Sequence, residues 1–144
     1  MVQYICAERG CIELLILAQL GHIGVQQMGV IHRMQQICDA AVANGRKVVV
    51  TGRSMIQNTD IARRLGYLNI SDDDIVDAYE LKGLPPERVV IMCTGSQGEP
   101  MSALYRMAFG GHAQISLGPT DLVVLSSSSI PGNEKAISCL LYTS

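Results

Sequence analysis

Three short polar turns each follow an apolar run in this chain: Thr51-Gly-Arg-Ser54, Thr94-Gly-Ser-Gln-Gly-Glu99 and Ser126-Ser-Ser-Ser-Ile-Pro-Gly-Asn133. Their hydroxyls, backbone N–H groups and one guanidinium, Arg53, are groups that hold phosphate, because all donate hydrogen bonds and one carries charge. Pro100 is placed to open a helix after the second turn, where its missing N–H costs nothing. The free N–H groups of that helix start then point across a strand end, toward an anion. In this reading Gly95 and Gly98 let a ligand approach the backbone closely.

Other chemistries fit these residues less well. Ser96 lies in Thr-Gly-Ser-Gln-Gly, but a nucleophile elbow needs glycine two residues before the serine, and that residue is Thr94. The loop also lacks the Gly-Lys-Ser/Thr of a P-loop and the three glycines of a dinucleotide fold. His22, His32 and His112 show no metal-ligand spacing. The acidic residues Asp72, Asp73, Asp74, Asp77 and Glu80 lack a calcium-loop pattern. They are expected at a solvated helix start, the end that carboxylates favour. Cys6, Cys11, Cys38, Cys93 and Cys139 form no CxxC pair. Cys38 and Cys93 sit in apolar runs and are expected as buried, reduced thiols of a cytosolic protein. The residues thus nominate neither a catalytic group nor a metal site.

The elements that must position the turns follow from periodicity. Ile31–Asn44 has helical spacing, with Met34, Ile37, Cys38, Ala41 and Val42 on one face, and Asn44-Gly45 stops it. Lys47–Thr51, Val89–Thr94 and Leu122–Ser126 are the three strong strands. Met55–Leu65 is expected as a helix ended by Gly66, Asp72–Leu84 as a short helix, and Met101–Phe109 as a helix stopped by Gly110-Gly111. Tyr67–Ile70 is read as a short edge strand or a loop, His112–Leu117 as a further strand, and Glu134 onward as the last helix. Helices alternating with continuous apolar strands predict an α/β fold, a three-layer domain around a mostly parallel sheet. All three polar turns then fall on the carboxyl edge of that sheet, where ligands of open α/β sheets bind.

A chain of 144 residues with 48% apolar and 17% charged residues fits one soluble globular domain. Its net charge of −2 does not advertise a nucleic-acid binder, so any phosphate site must rest on local geometry. The apolar segment Cys11–Ile23 carries Glu13, Gln19 and His22 and is shorter than the ~20 residues that span a bilayer. It also lacks the charged start and cleavage site of a signal peptide.

Four blocks, 31–36 (Ile-His-Arg-Met-Gln-Gln), 44–55 (Asn-Gly-Arg-Lys-Val-Val-Val-Thr-Gly-Arg-Ser-Met), 94–104 (Thr-Gly-Ser-Gln-Gly-Glu-Pro-Met-Ser-Ala-Leu) and 130–134 (Ile-Pro-Gly-Asn-Glu), closely resemble bacterial ribonuclease J. They match its β-CASP domain, an insertion in a metallo-β-lactamase fold, over residues 31–138. The resemblance implies an RNA-binding part of a metal-dependent 5′-to-3′ exo- and endoribonuclease of RNA processing and decay. The parent is expected to be cytoplasmic and homo-oligomeric, with two zinc ions on a His-x-His-x-Asp-His motif in the metallo-β-lactamase domain. That motif is missing from this sequence, so the fragment is expected to bind no metal and to be inactive alone. The partners implied are RNA and the missing metallo-β-lactamase domain, and no membrane.

Carried over residue by residue, the resemblance assigns RNA or phosphate contacts to His32, Arg33, Arg53, Ser54, Thr94, Gly95, Ser96, Gln97, Gly98, Glu99, His112, Ser127 and Ser128. His32 and Arg33 end a Ser-Asn-x-His-Arg block whose Ser and Asn positions hold Gly29 and Val30 here. Ser129 replaces a proline of the last loop, and Gly118-Pro119-Thr120-Asp121 departs from the usual Pro-Gly-Asp-Thr turn. Glu99 is read either as a carboxylate capping the following helix or as a closure contact to the metallo-β-lactamase domain. Residues 1–30 share nothing with the family and are left unassigned, with a shifted reading frame as one source. Residues 139–144 look like a translated adapter, and both ends are set aside as non-native. The alternative reading of the whole is a free-standing, non-catalytic nucleotide- or phosphate-binding α/β module. Its mean hydropathy of +0.24 also fits a fragment whose docking face is exposed.

Overall fold

A computed structural model of the chain describes residues 3–7, 30–95, 98–125 and 131–143. The strands are β1 (Gln3–Ala7), β2 (Lys47–Val50), β3 (Ile75–Val76), β4 (Val89–Cys93) and β5 (Asp121–Leu125). The helices are α1 (Val30–Ala43), α2 (Arg53–Arg64), α3 (Ala103–Ala108) and α4 (Glu134–Thr143). The strands form one sheet in the order β3-β2-β4-β1-β5. β2 pairs in parallel with both β3 and β4, and β1 runs antiparallel to β4 and β5. Four of the strands therefore point the same way and only β1 is reversed, which is the mostly parallel α/β sheet expected.

Side-chain alternation divides the core in two. On one face, Val48, Val90 and Met92 pack with Met34, Ile37, Cys38 and Ala41 of α1 and with Met55 and Ala62 of α2. On the other, Val49, Ile91 and Cys93 pack with Ala103, Leu104 and Met107 of α3, with Ile115, and with Leu140 of α4. β4 is buried along its whole length, because helices cover both of its faces. Full burial of a Met, Leu or Val side chain contributes roughly 1.5–3 kcal/mol, so these two clusters are the main source of stability. Both Cys38 and Cys93 are buried free thiols, as their apolar runs imply.

Helix direction follows from loop length. α1 ends at Ala43 and β2 begins at Lys47, so the helix must fold straight back along the strand. Asn44 Nδ2 donates to the Ala40 carbonyl at 2.8 Å, and Arg46 N–H donates to the Ala41 carbonyl at 2.9 Å, which closes the helix end. Fourteen residues of α-helix span about 21 Å, which carries His32 and Arg33 to the carboxyl edge of the sheet. α2 leaves that same edge at Arg53. It stops in a paired carbonyl motif, with Gly66 N–H on Arg63 C=O and Tyr67 N–H on Ala62 C=O. Gln35 ties the next loop to α1 by bonding the backbone of Asn69 both ways, at 2.8 Å through Nε2 and 2.6 Å through Oε1.

Two elements differ from expectation, and a third settles on one of its two readings. The 72–84 stretch is not an α-helix but a turn, the edge strand β3 and the 3-10 turn Glu80–Gly83. Lys47 pairs with Asp74 at 3.1 Å, Arg63 pairs with Asp72, and β-branched Ile75 and Val76 join β2, so tertiary pairing outweighs helical charge pattern. Tyr67–Ile70, read as an edge strand or a loop, is a loop. His112–Leu117 is irregular rather than a strand: its backbone turns onto the His112 ring and buries Ile115. Residues 3–7 form β1 in the sheet, and α4 continues through 139–143 with Leu140 only 2% exposed.

Candidate phosphate-facing rim

The carboxyl ends of β2, β4 and β5 lie on one edge. Val50 is level with Met92, while Gln3 of β1 is level with Cys93 on one side and Leu125 on the other. Thr51 N–H donates to the Met92 carbonyl at 2.9 Å, extending the β2–β4 pairing into the first turn. The turns after β2 and β4 touch. A Cβ at Gly52, where φ is 97°, would stand 2.7 Å from Thr94 Oγ1, so only glycine lets the two turns meet. β5 also ends at this edge, but Ser127 and Ser128 lie outside the described residues, as do Ser96 and Gln97 of the second turn.

The second turn is built differently from its sequence-based reading. Pro100 does not open the helix: α3 begins at Ala103, with Ser102 as its N-cap, and has six residues. Ser102 Oγ accepts from Tyr105 N–H at 3.3 Å, and Thr94 C=O accepts from Leu104 N–H at 3.0 Å. Donors that were expected to face an anion are thus engaged inside the fold. Glu99 does not cap the helix either; its carbonyl accepts from Ser102 N–H at 3.0 Å, and the residue is exposed. Both glycines are required by the protein's own packing. A Cβ at Gly95 would clash with Ser102 Oγ. At Gly98, where φ is 73°, it would meet the backbone of Ala136 in α4 at 2.7 Å.

His112 anchors the far side of the rim. Its Nδ1 accepts from Ile115 N–H at 3.2 Å and from Gln114 N–H at 3.3 Å. That leaves the ring proton on Nε2, which donates to Thr51 Oγ1 at 3.1 Å. Burial, and then the positive charge of Arg106, hold the His112 pKa below its ordinary 6.5. The ring is therefore a neutral brace between β2 and the 112–115 turn, with both nitrogens engaged. Cys93, just before the second turn, has its thiol pushed up to about 12 by burial and is no nucleophile.

Two clefts open on this edge. The larger, about 600 Å³, is lined by Thr51, Arg53, Tyr79, Arg106, His112 and Gln114 among others. The smaller, about 530 Å³, includes Arg53, Ser54, Gln57, Thr94, Met101 and Arg106. The structure thus brings Arg53, Ser54, Thr94 and His112 together. His32 and Arg33 reach the same edge through α1 but line neither cleft. Arg106 escaped the sequence reading. Its one signal is a charge set among the buried Ala103, Leu104 and Met107, and that marks it only as exposed. Among the described residues no three His, Cys, Asp or Glu side chains gather as metal ligands, and no helix is long and apolar enough to cross a membrane.

Comparison with known proteins gives this edge a context. Residues 26–142 match the ribonuclease J beta-CASP domain. Over 107 residues the chain is 56% identical to ribonuclease J of Mycolicibacterium smegmatis, covering 74% of this chain and 19% of that protein. It is 51% identical over 107 residues to ribonuclease J of Thermus thermophilus, covering 74% and 18%. With ribonuclease J of Helicobacter pylori strain J99 it shares 48% over 111 residues, covering 77% and 16%. The chain spans less than a fifth of the length of these relatives. Match length, identity and the α/β sheet agree, and the chain belongs to the ribonuclease J beta-CASP domain family.

Proposed function

We propose that this chain is the β-CASP part of a ribonuclease J-type nuclease, residues 31–138 being its core, and that its carboxyl rim forms one wall of an RNA channel. The observation that carries the reading is the contact between the first two turns, which sets Arg53, Ser54 and Thr94 on one open edge. Arginine and hydroxyl donors suit backbone phosphate, which positions a strand without reading its sequence. His32 and Arg33 extend the wall at the start of α1, and the family resemblance assigns RNA contacts to Ser96, Gln97, Ser127 and Ser128, which lie outside the described residues. Glu99, exposed at the edge, is the closure contact to the metallo-β-lactamase domain.

In the parent enzyme, hydrolysis of the phosphodiester, both 5′-to-3′ and internal, belongs to a dinuclear zinc site in that other domain. This chain is assigned the positioning of RNA beside that site rather than the binding of its ions. The parent works in the cytoplasm on RNA, as a homo-oligomer.

The test is a binding titration with a single-stranded RNA oligonucleotide, with and without a 5′ phosphate. The chain binds the phosphorylated form weakly but more tightly, and Arg53→Ala weakens it about tenfold, as loss of a charge-assisted hydrogen bond does. Equal affinity for both forms counts against the phosphate role. Zinc- or manganese-stimulated cleavage by the chain alone would show that the catalytic centre is misplaced.

A further inference from the structure

Arg53 and Arg106 each line both clefts, so both residues belong to the ridge between them. Among the described residues neither has an acidic partner: the ion pairs are Lys47–Asp74, Arg63–Asp72 and Arg64–Asp60. Among the described residues, the lining of the smaller cleft contains no carboxylate. In the larger, Asp60 is held by Arg64, and Asp77 Oδ1 accepts from Tyr79 N–H at 3.3 Å. Two like charges on one ridge repel, and an anion between them relieves that repulsion. Tyr79, 74% exposed on the wall of the larger cleft, offers a ring face of the kind on which nucleobases stack. Both volumes fall within the ~300–1,000 Å³ usual for small-molecule sites.

We infer that the ridge holds one internal phosphodiester of single-stranded RNA between Arg53 and Arg106, with a nucleoside in each cleft. One base stacks on Tyr79 in the larger cleft; the other lies beside Gln57 and Met101 in the smaller. The inference rests on the RNA-facing rim proposed above and deepens it, because the unit recognised is a dinucleotide step rather than a terminal phosphate. A single phosphate with one nucleoside leaves one cleft empty, so the dinucleotide binds more tightly than the mononucleotide.

The experiment titrates the full chain with adenylyl-adenosine lacking a terminal phosphate, with AMP and with adenosine, followed by NMR shifts of the labelled protein. The dinucleotide is expected to bind at least tenfold tighter than adenosine and several-fold tighter than AMP. Arg106→Ala is expected to cut its affinity about tenfold. Tyr79→Ala weakens it, and Tyr79→Phe, which keeps the ring, restores it. Both residues are exposed, so circular dichroism should show these variants folded. Dinucleotide binding no tighter than AMP, or unchanged in Arg106→Ala, overturns the inference. A 5′-phosphorylated oligonucleotide is run beside these probes. If it binds and Arg53→Ala weakens it while the dinucleotide does not bind, the dinucleotide step falls and the RNA-facing rim stands. If neither binds, the rim itself is refuted.

Discussion

His112 Nε2 lies 3.1 Å from Thr51 Oγ1, and this one bond joins the end of β2 to a segment 61 residues later in the chain. The ring can make it only as the Nε2–H tautomer, because two backbone N–H groups occupy Nδ1. Protonating Nδ1 would set a donor against two donors. Burial and the Arg106 charge oppose it as well.

The sign of the pH dependence follows. A histidine whose pKa is lower folded than unfolded binds fewer protons in the native state, so its stabilisation is complete above the ordinary value of 6.5. It is lost as pH falls from there through the folded value. Urea unfolding midpoints should therefore drop between pH 7.5 and pH 5.5, and His112→Gln should flatten that dependence. An unchanged slope in the variant would contradict the tautomer assignment.

Thr51 is the other half of the bond and is 6% exposed. Thr51→Val keeps the shape of the side chain and leaves the His112 Nε2–H without its acceptor. The expected loss is about 1 kcal/mol, measured by urea unfolding. The chemical shift of the His112 ring should move with it.

Much of this fold is legible in the sequence because local signals and tertiary packing agree. The 3.6-residue spacing of Met34, Ile37, Cys38 and Ala41 names the buried face of α1, and continuous apolar runs name β2 and β4. The rim was legible for the same reason: parallel strands deliver their ends to one edge. The signals failed where a distant partner decides. Nothing local says that Lys47 and Arg63 will capture Asp74 and Asp72 and convert an acidic helix pattern into an edge strand. Nor does Gly98 announce that Ala136, rather than a ligand, comes against its backbone. Arg106 is a rim residue only because α3 packs beside Gly52, where a Cβ would lie 3.6 Å from Ala103.

Gly98 offers a sharp test of that packing. Alanine there must adopt a φ of 73° and place its Cβ 2.7 Å from the backbone of Ala136. The left-handed conformation costs ~1–2 kcal/mol and overpacking a further ~1–3 kcal/mol. Gly98→Ala should thus destabilise the chain by about 2–5 kcal/mol in urea unfolding. A loss under ~1 kcal/mol would mean that the second turn does not rest on α4.

Leu140 decides whether the end of α4 belongs to the core. Its side chain is 2% exposed and packs in the cluster with Leu104 and Met107. Truncating a buried leucine to alanine removes apolar contact and leaves a cavity, together about 2–5 kcal/mol. Leu140→Ala should therefore lower the urea midpoint markedly, whereas Lys135→Ala on the exposed part of the same helix should change it little. Equal, small effects from both variants would show that the helix end contributes nothing to the core, and that residues from 139 onward are an appendage rather than part of the domain.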